Sequence, residues 1–334
     1  MENKPTIADS LVKESMHLPL RKKRWLMSPS ADNAFHYLTK GLAILLLALV
    51  TALVASMIYN SRLSLSRFGF SFVFSTTWDP VKELFGALPF VYGTLVSSLI
   101  ALIIAVPVSL GVAIFLTEQC PYKLRPIVLS LVELLAAIPS VAYGLWGIFV
   151  LVPFMRNYIN PFLESTLGFL PLFKGPSYGI GLLTSGMILA VMIVPIITAI
   201  SVNSLNAVVP TQREAALALG ATRWEATQIV LLNARSGIIG GIILGLGRAL
   251  GETMAVTMVI GNRPEIAASL LAPAYTMASV IANEFTEATY ELYLHALIEI
   301  AILLFVITFI VQAVAQLLIR QISKGKKSYA KADQ

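Results

Sequence analysis

Residues 210–262 read PTQREAALALGATRWEATQIVLLNARSGIIGGIILGLGRALGETMAVTMVIGN. The stretch is polar up to about residue 235, and an apolar run containing Arg248 and Glu252 follows. An apolar run of about 20 residues is long enough to cross the core of a bilayer as a helix. The stretch therefore predicts a polar hairpin attached to a membrane helix that carries two charges. Charges inside a span are costly and are functional candidates by default.

The composition of the whole chain is that of a polytopic membrane protein. Of 334 residues, 57% are hydrophobic and 13% are charged, with a mean hydropathy of +0.80. Soluble domains are about half apolar and a quarter charged. The single Cys120 excludes a disulfide framework and a cysteine metal site. His17, His36 and His295 are scattered and no nucleophile–base constellation is present, so we predict neither a catalytic nor a metal site.

Apolar runs predict an all-α fold with about six transmembrane helices. The runs lie at about residues 41–59, 94–116, 127–153, 179–202, 236–260 and 294–319. The predicted organisation is a cytoplasmic tail (1–40), a first transmembrane helix (41–59), an extracytoplasmic loop (60–93), a core with five helices (94–319) containing the loop 203–235, and a basic cytoplasmic tail (320–334).

Two predicted outer loops have unusual compositions. The loop 60–93 is rich in aromatic residues, which we expect to anchor the chain at the membrane interface or, alternatively, to contact an extracytoplasmic partner. These residues are Phe68, Phe70, Phe72, Phe74, Trp78, Phe85, Phe90 and Tyr92. The loop 261–293 contains SLLAPAYTMASVIANEF, which is less polar than a free loop, so we expect it to re-enter the membrane edge or to line a vestibule.

The hairpin of residues 203–235 predicts two short helical segments. Thr211 and Glu214 have the spacing of a capping box, and Gly220 permits a turn before a second short segment from about Thr222. The segment EAALALGATRWEATQIVLL resembles the cytoplasmic EAA loop of ABC importer permeases. The matching positions are Glu214, Ala215, Ala216, Gly220 and Ile229.

The resemblance implies that this coupling loop sits in a groove of an ATP-hydrolysing subunit and passes on its movement. The family usually continues with Leu-Pro, whereas this chain has Asn233 after Leu232. This difference from the family pattern affects the residue at which the second helical segment ends. Without the resemblance, the alternative hypothesis for this hairpin is an ordinary connector between two spans.

Arg248 and Glu252 are four residues apart, so on a continuous helix they share one face. Gly237, Gly241 and Gly245 extend this stripe and would let another helix or a ligand approach closely. We expect an ion pair in the path of an anion, because an arginine fork suits phosphate or sulfate oxygens. The alternative is a salt bridge that only fixes helix packing.

Three stretches resemble the phosphate-specific permeases of ABC importers, of the PstC type. They are GRALGETMAVTMVIGN (247–262), STTWDPVKELFGALPFVYGTLVSS (75–98) and IPSVAYGLWG (138–147). Sulfate and molybdate permeases share the Arg-Ala-Leu-Gly-Glu core but commonly continue with Phe-Gly, where this chain has Thr253 and Met254. The resemblance implies a type I ABC importer permease fold and a substrate pathway at Arg248, Glu252 and Thr253.

The resemblance also implies partners in a bacterial cytoplasmic (inner) membrane. These are a second, PstA-like permease, a homodimeric PstB-like ATPase and an extracytoplasmic PstS-like phosphate-binding protein; no nucleic acid is expected.

The chain has no G-x-x-x-x-G-K-S/T loop, so we expect ATP and magnesium on the ATPase and no cofactor here. Rival hypotheses are a sulfate or molybdate permease, an ion-coupled secondary anion transporter, for which inverted repeats are missing, and a structural scaffold.

Lysine and arginine counts predict that both termini are cytoplasmic. With that orientation, 17 of the 24 basic residues face the cytoplasm, six face outward, and Arg248 lies within a span. A topology reporter fused after Gln334 should therefore read cytoplasmic, and one inserted near Lys82 should read extracytoplasmic. Opposite readings at both positions would reverse the predicted orientation.

Overall fold

The structure, a computed structural model, describes residues 29–175 and 177–332, and these are nearly all helical. The helices are α1 (Pro29–Phe68), α2 (Ser71–Phe74), α3 (Leu88–Ile114), α4 (Arg125–Ala136), α5 (Ser140–Leu167), α6 (Leu182–Asn206), α7 (Pro210–Ala218), α8 (Arg223–Leu250), α9 (Met254–Ile260), α10 (Met277–Glu284) and α11 (Glu291–Ala332). A π-helical turn, Phe115–Gln119, extends α3. The predicted all-α fold class is confirmed.

The predicted third span is bent rather than straight. Five helices in the described part of the chain are long and apolar enough to cross a membrane, and α4 and α5 make a sixth candidate only as a pair bent by 90°. Pro139 starts α5 in an extended conformation, with φ −59° and ψ 141°. A proline donates no N–H and disfavours helix in the residue before it, so a straight helix cannot pass through this point. The Tyr143 hydroxyl donates to the Leu135 carbonyl at 2.7 Å and braces the bend.

The first and last helices extend beyond their predicted bounds. The chain divides into two compact units, residues 1–54 and 55–334, and the described part of the first unit is one helix with exposed side chains. Helix α1 begins inside the predicted tail and ends inside the predicted loop 60–93, and α11 runs into the predicted tail 320–334. Hydropathy marks only the apolar part of a helix, whereas the backbone bonds continue into polar flanks. The basic cluster at residues 21–24 lies outside the described residues.

Helix α6 forms the centre of the second unit, where it packs against α3, α4, α8 and α9. Ile188, Ile193 and Ile197 on this helix are completely buried. Gly186 allows α3 to approach, because a Cβ there would lie 2.4 Å from Ile100. Between membrane helices, close packing at small residues replaces the hydrophobic effect as the main attraction. The sequence of α6 therefore places an apolar helix among other helices rather than in lipid.

The loop after α9 folds back into the helical core. The first free N–H groups of α6 find partners in this loop: Leu183 donates to the Leu270 carbonyl at 2.8 Å and Leu182 to the Ala272 carbonyl at 3.2 Å. Leu271 and Tyr275 are 2% and 3% exposed. Non-helical backbone is tolerated at membrane depth only where protein or water covers it. Here protein covers it.

The aromatic loop packs inward, so the predicted interfacial anchoring is wrong for its buried members. Phe72, Trp78, Phe85 and Phe90 lie in one buried cluster with residues of α10, α11 and the loop before α10. The Glu284 carboxylate accepts hydrogen bonds from Trp78 Nε1 at 2.8 Å and from the Tyr293 hydroxyl at 2.6 Å. Two other aromatic residues of the loop, Phe70 and Phe74, are exposed.

Two glycines on α3 provide a matched test of this packing. A Cβ at Gly93 would lie 2.1 Å from the Tyr275 carbonyl oxygen, whereas a Cβ at Gly111 meets nothing within 4 Å. We expect Gly93→Ala to lower the thermal unfolding midpoint in detergent, because backbone must move. Gly111→Ala should keep or raise it, since alanine favours a helix over glycine by about 1 kcal/mol. Equal midpoints for the two variants would contradict the close contact.

Candidate functional site

The predicted hairpin exists, but its first cap differs from the prediction. Helix α7 begins at Pro210, and Val209 caps it without a side-chain hydrogen bond, so the predicted capping box of Thr211 and Glu214 is wrong. Proline is preorganised for the first position of a helix, which places Thr211 inside the first turn. Gly220 has a φ of +88°, a conformation that L side chains rarely adopt, and the chain turns there.

A capping box does form at the start of the second arm. The Glu225 N–H donates to Thr222 Oγ1 at 3.3 Å, and the Thr222 N–H donates to Glu225 Oε2 at 2.7 Å. The second arm is not a short separate segment, because α8 continues without interruption from Arg223 to Leu250. Where related sequences have a proline, Asn233 Nδ2 donates to Gln212 Oε1 at 2.7 Å and to the Ile229 carbonyl at 3.0 Å. The second arm of the hairpin and the membrane segment up to Leu250 are therefore one continuous helix.

The hairpin presents an exposed surface for docking. Glu214, Ala215 and Gly220 are exposed, while Ala216 is buried. Leu219 and Trp224 are 90% and 60% exposed. Large apolar side chains grouped on a polar projection indicate a protein contact surface.

Glu118, which the sequence analysis did not single out, holds the hairpin. It lies on the π-helical turn after α3, and its carboxylate forms an ion pair with Arg213 of α7. The Thr227 hydroxyl of α8 lies 3.4 Å from Glu118 Oε2. An acidic residue at the end of the apolar run 94–116 was the available signal, but its partners are about 100 residues away in the chain.

The second predicted site lies at a break in the fifth span. Helix α8 ends at Leu250 and α9 begins at Met254, so the predicted continuous span over 236–260 is wrong. Gly251 is the C-cap of α8, and glycine is a poor helix former. Glu252 lies in the break, and its Oε1 accepts from the Ala255 N–H at 3.4 Å. The Glu252 carboxylate thus accepts a backbone N–H that has lost its helical carbonyl partner at the break.

This break separates the two predicted charges. Arg248 is exposed and Glu252 is 9% exposed, and within the described ranges no ion pair joins them. The expected resting ion pair is therefore not formed in this conformation, because the spacing of four residues produces a shared face only on a continuous helix. Thr253 is half-buried, and its hydroxyl donates to the Gly251 carbonyl at 3.3 Å.

Two polar residues from other helices lie near Arg248. The Tyr143 phenol of α5 is within electrostatic range of the guanidinium. Gln312 of α11 lies directly against Gly247, since a Cβ there would be 2.1 Å from the Gln312 amide nitrogen. Tyr143 of α5 thus approaches Arg248 and Gln312 of α11 packs against its neighbour Gly247, contacts that sequence spacing could not reveal.

The glycines of the predicted stripe face α6. A Cβ at Gly237 would lie 2.2 Å from Ser204 Oγ, one at Gly241 3.0 Å from Ile200 and one at Gly245 2.8 Å from Ile197. The nearest neighbours of these three glycines are residues of α6.

A second buried carboxyl, also not singled out in the sequence, lies in the last span. Glu299 of α11 is 6% exposed, and its Oε2 has no hydrogen-bond partner among the described residues. The hydroxyl of Ser64 is also buried and likewise has no hydrogen-bond partner among the described residues. An acidic residue inside the apolar run 294–319 was visible in the sequence and, by the cost of burying charge in a membrane, is a functional candidate.

A set of membrane-length helices around a buried core, with a polar hairpin continuous with one span, is an arrangement that fits a transport permease. The family model described as "Binding-protein-dependent transport system inner membrane component" matches residues 109–324. The chain therefore belongs to this family of ABC importer permeases.

Relatives match along most of the chain. It is 50% identical over 296 residues to the phosphate transport system permease protein PstC of Mesorhizobium japonicum, covering 87% of this chain and 90% of that protein. It is 49% identical over 308 residues to PstC of Xylella fastidiosa, covering 90% and 94%. It is 34% identical over 289 residues to a probable PstC of Methanocaldococcus jannaschii, covering 84% and 91%.

A solved structure supports the fold. An inward-facing chain of the MetNI methionine ABC transporter aligns with a TM-score of 0.51 at 18% identity, covering 74% of this chain and 99% of that one. The expected ABC importer permease fold is thereby confirmed.

The separation of Arg248 from Glu252 predicts how the fold responds to their loss. Arg248→Gln should change the thermal unfolding midpoint by less than about 2 °C, because no ion pair breaks. The exchanged pair, Arg248→Glu with Glu252→Arg, should be less stable than Arg248→Gln, because it buries an arginine where a carboxylate accepts the Ala255 N–H. Glu252→Gln, which keeps an acceptor oxygen, is the matched control. Recovery of stability in the exchanged pair would indicate a packing salt bridge instead.

Proposed function

We propose that this chain is the permease subunit of an ATP-driven importer that moves inorganic phosphate across a bacterial cytoplasmic membrane. The observation that carries the proposal is the identity of 50% and 49% with two phosphate permeases over most of the chain. The charge and geometry of the Arg248 side chain give a physical reason why the substrate is an oxyanion.

Arg248 offers phosphate a guanidinium that no carboxylate of the described residues 29–175 and 177–332 occupies in this conformation. Its planar fork of N–H donors matches two oxygens of a tetrahedral oxyanion. We infer that Arg248 is the anion contact of the path and that the half-buried Thr253 lies beside it.

Glu252 has a different role in this proposal. It is four residues from Arg248 in the chain, and its negative charge disfavours a long stay of an anion nearby. A conducting site must bind its ion well enough to admit it and weakly enough to release it. The carboxylate therefore promotes release, and a second conformation in which it pairs with Arg248 would complete that step.

The coupling loop connects this path to ATP hydrolysis. We infer that Glu214, Ala215, Ala216 and Gly220, with the exposed Leu219 and Trp224 beside them, dock on an ATPase subunit. Because α8 is continuous from the hairpin to Arg248, a movement of the hairpin reaches the anion path through one rigid helix.

The remaining parts of the assembly follow from the family. ABC importer permeases work with an ATPase and with a substrate-binding protein, and here we propose PstB-like and PstS-like subunits, with a PstA-like permease completing the path. ATP and magnesium would bind the ATPase subunits. The coupling loop and both termini would face the cytoplasm, as the distribution of basic residues favours.

Phosphate uptake into vesicles tests the proposal. At equal amounts of assembled complex, Arg248→Gln should lower uptake at least about tenfold, as loss of a charge-assisted contact predicts, and Arg248→Lys should recover part of it. Lys82→Gln, an exposed charge on the outer loop, is the control and should not change uptake.

Two results would contradict different parts of the proposal. Full uptake by Arg248→Gln would remove Arg248 from the path. Uptake of sulfate or molybdate in preference to phosphate by the wild-type complex would overturn the substrate.

A further inference from the structure

Glu118 lies where three parts of the chain meet. It belongs to the π-helical turn Phe115–Gln119 that ends α3, and it contacts Arg213 on the first arm of the coupling hairpin and Thr227 on the second. Its side chain is 9% exposed, whereas that of Arg213 is 41% exposed. One carboxylate therefore connects a membrane span to both arms of the hairpin.

The ion pair connects α7 directly to the end of α3. The main packing contacts of α7 are with α8. Beside Glu118, between the turn and the hairpin, a cavity of about 660 Å³ is lined by Arg213, Leu217 and Trp224 among others. The Glu118–Arg213 contact is therefore a direct path from α7 to α3, in addition to the apolar contacts between α8 and Leu116.

Burial makes this contact resistant to separation. Exposed ion pairs contribute little, because water and salt replace the partner easily. The Arg213 side chain is 41% exposed, but moving it away leaves the nearly buried Glu118 carboxylate without compensation, which is unfavourable. Because Glu118 is almost enclosed, separating it from Arg213 costs free energy. The hairpin and the end of α3 therefore move together.

Helix α3 carries such a movement to the other end of the protein. It packs along α6, and near its start Thr94 Oγ1 accepts from the Met277 N–H at 2.9 Å. Gly93, one residue earlier, lies against the Tyr275 carbonyl. A displacement of α3 therefore acts on the buried loop before α10 as well as on the core.

We propose that the Glu118–Arg213 ion pair transmits movement from the coupling hairpin to α3, in parallel with the continuous helix α8. Glu118 is a positioning residue in this proposal, which rests on the proposed function as an ATP-driven importer. Thr227 contributes less, because its hydroxyl also donates to the Arg223 carbonyl at the shorter distance of 2.9 Å.

The test compares ATP hydrolysis with phosphate uptake in vesicles that contain the whole transporter, with its second permease, ATPase and binding protein. The variants are Glu118→Gln and Arg213→Gln, and the quantity is ATP hydrolysed per phosphate imported, at measured amounts of assembled complex. We expect this ratio to rise at least about fivefold, the lower end of typical coupling between sites.

Three further variants separate coupling from folding. Arg213→Lys keeps the charge and should return the ratio towards the wild-type value. The exchanged pair, Glu118→Lys with Arg213→Glu, should be better coupled than Glu118→Lys alone. Lys123→Gln removes an exposed charge a few residues after Glu118 and should behave as wild type.

The outcomes are distinguishable. An unchanged ratio in Glu118→Gln and Arg213→Gln contradicts transmission, and so does a loss of assembled complex with an unchanged ratio in what remains, since a purely structural pair would produce that result. A wild-type complex that hydrolyses ATP without accumulating phosphate contradicts the proposed function instead.

Discussion

Within a membrane, each backbone N–H and C=O group must find its partner inside the protein, because lipid offers none. This requirement explains why the described chain is almost entirely helical and where it can leave the helix. The segment between α9 and α10 crosses the core as irregular backbone because the first residues of α6 donate to its carbonyls and Ala274 donates to the Ile260 carbonyl at 3.1 Å. The start of α6 and the loop satisfy each other, so neither is stable at this depth alone.

The same requirement shapes the proposed anion site. Ending α8 at Leu250 frees backbone groups, and Glu252 satisfies one of them through the Ala255 N–H. The glutamate is thereby used by the backbone rather than by Arg248. A break in the span thus leaves Arg248 apart from its nearest carboxylate in the chain, which supports its proposed role as an anion contact. Tyr143 of α5 lies within electrostatic range of Arg248, and Gln312 of α11 lies against the neighbouring Gly247.

The proposed coupling depends on rigidity, and the chain provides it in two places. With Asn233 where the EAA-loop pattern usually has a proline, α8 is continuous from the hairpin to Arg248. On the other arm, Glu118 connects α7 to α3 through a nearly buried charge. The continuous helix α8 on one arm and the Glu118–Arg213 ion pair on the other constrain the hairpin more than either would alone. Rotation of the hairpin is therefore restricted as well as translation.

The amino-acid sequence by itself determined the all-α membrane fold, the position of the coupling loop with its turn at Gly220, and the family, because hydropathy, glycine and short motifs act locally. It placed the start of the second arm near Thr222, but apolar periodicity did not reveal the bend at Pro139 or the break at Gly251, where a proline and a side-chain acceptor for the backbone interrupt the helix. Only the tertiary structure decided that Trp78 and Phe85 are buried, that Arg248 and Glu252 are apart, and that Glu118 meets Arg213. The physical reason is that burial and ion pairing depend on which helices pack together, and α6, as the shared neighbour of α3, α4, α8 and α9, brings together residues that lie far apart in the chain.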